Sequence, residues 1–341
     1  MKRLIIPLLS FIALPSAIQA NIDPKVAEMC MKAFDFQGCV KNMSGLKEKK
    51  LATISEYDKA LAFFNEGDSI NANKSIKSYL KKNRKSKEGW MLKAIINAYN
   101  LQKYDDAIAD IDKAIDIDNE YALAYAFKAE IFYWNLDGSL SKTLEYLEKA
   151  IKLSPDDPHI NFIAGDIQRD NGFVILGGDT NDLSKKSRSK KDLSLKSFED
   201  AKKSLEKTLA NIDLDIYKNP MAESTYDIDV TYSSNAVLGD IKFELFLLYR
   251  DKKDRLMVKK YQNEAIEHYT KAISIAPSQE EVEKIELDRD VDLVTPADLY
   301  MARGNVYSWM NNKRKNVCND WKVSKKMGNV DARDSFRDWK C

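Results

Sequence analysis

Four cysteines and two histidines carry the most reactive side chains of this 341-residue chain. Cys30 and Cys39 lie close together in sequence, as do Cys318 and Cys341, while His159 and His268 are remote from both pairs. A zinc site needs four Cys or His ligands gathered at close spacing. Neither cysteine pair has a histidine within such reach, so zinc is not expected and disulfides are. Gly328 and Asn329 fall midway between Cys318 and Cys341, and two antiparallel helices over 316–327 and 330–340 would bring the two sulfurs side by side. In one continuous helix Cys30 and Cys39 would stand about 13 Å apart, beyond the roughly 7 Å that a disulfide spans between Cα atoms. Their pairing therefore predicts a break near Asp35, a residue suited to cap a second short helix.

No other constellation points to catalysis. The chain has no glycine-rich phosphate loop ending in Lys and Ser or Thr, no Gly-x-Ser-x-Gly elbow and no histidine pair at metal spacing. Gly177, Gly178 and Asp179 are too short a run for a nucleotide fingerprint. Asp116, Asp118 and Asn119, like Asp137 and Gly138, lack the twelve-residue calcium-loop pattern. No catalytic residue, metal or cofactor is expected. A basic run of Lys185, Lys186, Arg188, Lys190 and Lys191 offers two readings, a solvated insertion or a contact for an acidic partner or an anionic lipid surface. The formal net charge of +1 gives no electrostatic case for nucleic acid.

The first twenty residues follow a different rule from the rest. Lys2 and Arg3 precede an apolar run over 4–18, which ends in Ala17, Ile18, Gln19 and Ala20 before Asn21. That is the layout of a secretory signal peptide with cleavage after Ala20. The run contains Pro7 and Pro15 and falls short of the ~20 apolar residues that cross a bilayer. Export to the periplasm or a comparable oxidising lumen fits the disulfide reading, and no transmembrane segment is expected in the mature chain.

The rest of the chain is organised by one recurring stripe. Lys113, Ala114 and Ile115 recur as Lys149, Ala150 and Ile151 and again as Lys271, Ala272 and Ile273. Seven residues before each Ala-Ile pair stand Ala107 with Ile108, Thr143 with Leu144, and Ala265 with Ile266. Ile111, Leu147 and Tyr269 lie between. A period of seven puts these residues on one face of an amphipathic helix, and the small ones let a neighbouring helix come close. Pro155 and Pro277 end two of these helices. Another helix precedes each copy, as over 90–99 and 125–134, so the unit is helix, turn, helix, repeated about every 35 residues.

Tyr300, Arg303, Gly304 and Tyr307 share a spacing with Tyr125, Lys128, Ala129 and Phe132, and with Trp90, Lys93, Ala94 and Asn97, where Asn97 stands in place of an aromatic. This pattern resembles the tetratricopeptide repeat. The resemblance implies an all-α solenoid of about six helix-turn-helix repeats in which stacked pairs leave the first helices on a concave side. On that pattern Met91, Ile95, Ala98 and Tyr99, then Ala126, Glu130, Tyr133 and Trp134, then Met301, Asn305, Ser308 and Trp309 would face the groove. Groove contact and packing between repeats are equally open for Tyr99, Trp134 and Trp309. The groove is favoured for Met91, Tyr133 and Asn305.

In order, the expected parts are a signal peptide (1–20), a disulfide-linked helical hairpin (21–52) and repeats one to four (53–211) with a loop insertion at 173–191. An irregular linker (212–234) and repeats five and six with a capping helix (235–341) follow. In the first repeat Tyr57, Leu61, Phe63 and Phe64, then Ile70, Ile76 and Leu80, form the apolar sides. The insertions leave two arrangements open, one continuous superhelix or two arrays, over 54–211 and 235–341, meeting at an angle. The resemblance implies a scaffold or adaptor that binds a protein, peptide or helix. Two alternatives are a small-ligand or enzymatic site between 212–234 and the groove, and a self-assembling envelope component.

Overall fold

The computed structural model describes residues 55–136, 139–178, 183–212, 230–283 and 294–341. The signal peptide, the hairpin over 21–52 and the Cys30 and Cys39 pair lie outside the described residues.

Small polar side chains start most helices by accepting hydrogen bonds from backbone N–H groups that have no partner inside the helix. Helix α1 (Glu56–Asn65) is followed by α2 (Ser69–Lys82), which Asp68 caps by accepting from Asn71 N at 3.1 Å. Ser86 caps α3 (Lys87–Ile95), whose last turn widens into a π-turn over Ile96–Asn100, and α4 (Tyr104–Ile117) follows. Next come α5 (Ala122–Asn135) and α6 (Leu140–Leu153). Asp157 and Pro158 open α7 (Pro158–Leu176), Gly177 closes it in the left-handed conformation at φ 74°, and Ser187 opens α8 (Arg188–Asn211). Asp254 separates α9 (Val230–Asp251) from α10 (Arg255–Ile275). A reciprocal box of Thr295 and Asp298 opens α11 (Pro296–Ser308), and α12 (Arg314–Lys326) and α13 (Val330–Asp338) complete the chain. All regular structure among the described residues is helical.

From α3 on the helices pack in sequence, two to a pair, and residues 60–341 form one compact unit. The recurring stripe is the reason. Ala107, Ile111 and Ala114 are fully buried, as are Thr143, Leu147 and Ala150, and Ala265, Tyr269 and Ala272. Their larger neighbours sit at the margin of the stripe, where Leu144 is exposed. On the first helices, small residues admit a large one from the partner helix. A methyl group added at Gly239 would lie 2.5 Å from the Tyr269 ring, one at Gly304 2.5 Å from the Trp321 ring, and one at Gly165 2.6 Å from Leu205 Cγ.

Three expectations need correction. Residues 173–191 are not one loop, because α7 runs on to Leu176, a short 3-10 turn occupies Leu183–Lys185, and α8 begins at Arg188. Residues 230–234 belong to α9, with Val230, Tyr232 and Ser234 buried, so the irregular stretch ends earlier than its polar composition suggests. The insertions also leave the packing unbroken. Phe198, Ala201 and Leu205 of α8 share one core with Val237, Leu238, Ile241 and Leu245 of α9, a cluster that extends from Phe162 of α7 to Tyr261 of α10. In α2, Ile76 and Leu80 are buried as expected, but Ile70 is 78% exposed in the first turn.

Cys318 and Cys341 are bonded, with Cα atoms 5.4 Å apart. The bond ties α12 to the residues after α13, and the Trp321 and Trp339 rings meet edge to face beside it at 5.4 Å.

Candidate functional site: the face of the first helices

In α3, α5, α7, α9 and α11 the small residue that meets the partner helix is Ala94, Ala129, Gly165, Gly239 or Gly304. At 100° per residue, positions one, four and five further on lie 40° to 140° around the helix from it. They form a face shared by successive first helices. Residues picked out by the resemblance, Ile95, Ala98 and Tyr99, Glu130, Tyr133 and Trp134, and Asn305, Ser308 and Trp309, have these offsets. The same offsets from Gly165 and Gly239 give Asp166, Arg169 and Asp170 on α7, and Asp240, Phe243 and Glu244 on α9. Sequence reasoning passed over this central part of the face, although its two glycines marked the register.

The centre is a chain of polar contacts across three pairs. Tyr133 of α5 donates its hydroxyl to Asp170 of α7 at 2.7 Å. Arg169 pairs with Asp166 at 3.1 Å and with Asp240 of α9 at 3.5 Å. Tyr269 of α10 donates to the other oxygen of Asp240 at 2.7 Å. Asp166 and Asp240 keep 27% and 32% of their side-chain surface and Arg169 keeps 20%, so these groups are half-buried. Burial pushes the Asp166 and Asp240 carboxyls above the usual range, and Arg169 opposes that rise in both. Burial and the bond to Asp170 push the Tyr133 phenol well up. Arg169 Nε finds no acceptor among the described residues. Among Asp166, Asp170 and Asp240, the central face sets three carboxylates against the Arg169 guanidinium.

Aromatic side chains flank this centre. Trp134 is 44% exposed and packs edge-on against Tyr133 at 4.8 Å. Trp309 is 50% exposed, with the Arg250 guanidinium 3.9 Å from its ring centroid. Met301 and Asn305 are half-buried, and Asn305 accepts from the Trp321 indole at 3.2 Å.

Four of the residues assigned to the groove do not reach it. Met91, Ile95, Ala98 and Ala126 keep 0%, 1%, 2% and 0% of their surface, because apolar side chains at these positions are taken into the core. Tyr99 lies within the π-turn, whose wider winding departs from the helical register, and it is half-buried with its ring 6.3 Å from that of Phe127.

No family model matches the chain, and no curated protein does. Among solved structures it is similar to PilW, described as a widely conserved type IV pilus biogenesis factor, at 15% identity over 82% of this chain and 96% of that one, with a TM-score of 0.50. It is also similar to the MamA protein, at 15% identity over 70% of this chain and 96% of that one, with a TM-score of 0.37. A tetratricopeptide repeat protein from Parabacteroides merdae matches at 12% identity over 84% of this chain and 98% of that one, with a TM-score of 0.35. The fold is a tetratricopeptide-repeat-like α-solenoid. No helix among the described residues is long and apolar enough to cross a membrane.

Proposed function

We propose that the protein is an interaction scaffold that holds a peptide or helix of a partner protein against the face of its first helices. The observation that carries this reading is the register that runs through α5, α7, α9 and α11 and lines one face with Tyr133, Trp134, Asp166, Asp170, Asp240 and Trp309. Exposed aromatic side chains beside a half-buried polar centre suit a partner's side chains better than open solvent. The carboxylate excess favours a segment bearing lysine or arginine.

With the expected export of the chain, this work would be done outside the cytoplasm. The Cys318 and Cys341 bond supports that setting, since disulfides persist in oxidising compartments. N-terminal sequencing of the mature protein should begin at Asn21, and finding Met1 would overturn the location.

The binding reading is tested with amphipathic helical peptides of one length bearing either Lys or Glu on the polar face, titrated by fluorescence anisotropy. The Lys peptide should bind, the Glu peptide should not, and Asp170→Asn or Trp134→Ala should weaken binding about tenfold. Equal binding of both peptides, or no effect of either variant, would overturn it. One observation favours a small cationic ligand as a second reading, namely that Asp166 and Asp240 are half-buried carboxylates with a single guanidinium between them. Thermal stabilisation by free guanidines or polyamines, lost in Asp170→Asn while no peptide binds, would favour it.

A further inference from the structure

The turns inside each helix pair come to one edge of the array, because first helices run one way and second helices return. At the last three pairs this edge is strongly basic. Residues 183–192, 251–259 and 309–316 contain twelve Lys or Arg and three Asp. All three carboxylates are committed. Asp251 pairs with Lys191 at 2.7 Å, Asp192 pairs with Lys252 at 2.8 Å, and Asp254 accepts the Leu256 and Met257 N–H groups at 3.1 Å. These two ion pairs seat the fourth turn against the fifth, and the Arg250 and Trp309 contact joins the fifth to the sixth.

The placement of the cations runs against helix physics. The first turn of a helix favours Asp or Glu, because its free N–H groups carry partial positive charge. Helix α4 follows the rule with Asp105 and Asp106. Helices α8, α10 and α12 have no acid in the first turn and carry Lys190, Arg255 and Arg314 there instead. Large apolar side chains project among these cations, with Leu256 78% exposed, Val174 62% and Leu193 55%. A purely solvating edge has no use for them.

We propose that this edge docks the protein on an anionic lipid bilayer, its cations at the phosphate headgroups and Leu256 and Leu193 entering the interfacial layer. Cations interspersed with protruding aliphatic side chains are the composition of interfacial anchors. Single-stranded nucleic acid would draw on a series of stacking rings, whereas the exposed apolar side chains here are Leu256, Leu193 and Val174, and the Trp309 ring is already stacked by Arg250. The edge meets the carboxylate-lined face at Trp309, beside Arg250, and the edge variants below are placed at other residues, so the two surfaces are tested separately.

The test is co-sedimentation of the mature, processed chain with vesicles of phosphatidylcholine alone or with about one third phosphatidylglycerol. Binding should require phosphatidylglycerol and disappear at about 0.5 M salt, where screening is nearly complete. Lys190→Glu with Lys253→Glu and Lys259→Glu should lower the partition coefficient by about a hundredfold or more. Leu256→Ser with Leu193→Ser should lower it several-fold without altering charge. Unchanged circular dichroism and melting, together with unchanged binding of the Lys peptide, verify that these variants are folded. Equal binding to both vesicle types, insensitivity to the charge reversals, or insensitivity to the leucine changes would each overturn the proposal. So would duplex DNA or polyglutamate binding the chain while anionic vesicles do not.

Discussion

Arg303 grips Asp320 through two parallel hydrogen bonds of 2.8 Å, Nε to one carboxylate oxygen and Nη2 to the other, across a spacing of 17 residues. Lys93 meets Asp110 at 2.6 Å across the same spacing, where Asp110 is almost wholly buried and also accepts from Asn97 at 2.8 Å. The same offset therefore locks a first helix to its second helix at two distant places. Removing one partner of a buried ion pair strands the other, at a cost of about 3–5 kcal/mol. Asp320→Ala should cost that much in urea unfolding followed by tryptophan fluorescence. Replacing Arg303 and Asp320 together by leucine should cost far less. A loss below about 1 kcal/mol for Asp320→Ala would show that the pair is not structural.

Gly239 permits the closest helix approach at the centre of the array. Gly239→Ala forces its methyl group into the Tyr269 ring, an overpacking cost of about 1–3 kcal/mol. Better helix propensity returns at most about 1 kcal/mol. The variant should melt at a lower temperature than the parent. A higher melting temperature would mean that the ring can shift aside.

Reduction of the Cys318 and Cys341 bond frees a link across 23 residues, worth about 3 kcal/mol in the chain-entropy account. The effect should be local. Hydrogen exchange should speed up in α12 and α13 while α7 to α10 stay protected, and the emission of Trp321 and Trp339 should change as their edge contact loosens. Uniform acceleration along the chain would argue against a local staple.

His159 is buried against the Phe127 ring, with centroids 5.4 Å apart, and burial drops its pKa to about 3. An unfolded histidine titrates near 6.5. Between these values the unfolded chain binds the extra proton, so stability rises with pH through this window and is lost as pH falls below about 6.5. The loss should approach roughly 1.4 kcal/mol per pH unit for this group. His159→Phe should make the profile less steep between pH 6.5 and 4, where His268, lowered by burial to about 4, supplies a remaining slope, and an unchanged slope would contradict the assignment.

Much of the fold was legible because small and large residues alternate with a period of seven. Ala107, Ile111 and Ala114 needed nothing beyond their spacing. The start of α8 was hidden because its first turn holds Arg188, Lys190 and Lys191 in place of the acids that usually announce a helix, leaving only Ser187 as a sign. On the binding face, Tyr133 and Trp134 drew notice as aromatics. Asp166, Asp170 and Asp240 did not, because a carboxylate on a helix is usually solvated and only its register from Gly165 or Gly239 says otherwise. Met91 and Ile95 fit the register and are nonetheless covered. Whether an apolar side chain is covered depends on its neighbours in space, which spacing along one helix does not encode.

The apolar cluster shared by α7, α8, α9 and α10 has a mechanical corollary. In a linear stack each unit leans only on the next, yet here two adjoining units have merged and Arg169 stitches them further. Heat or pulling should therefore peel the protein from its two extremities inward, with residues 158–275 the last to give way.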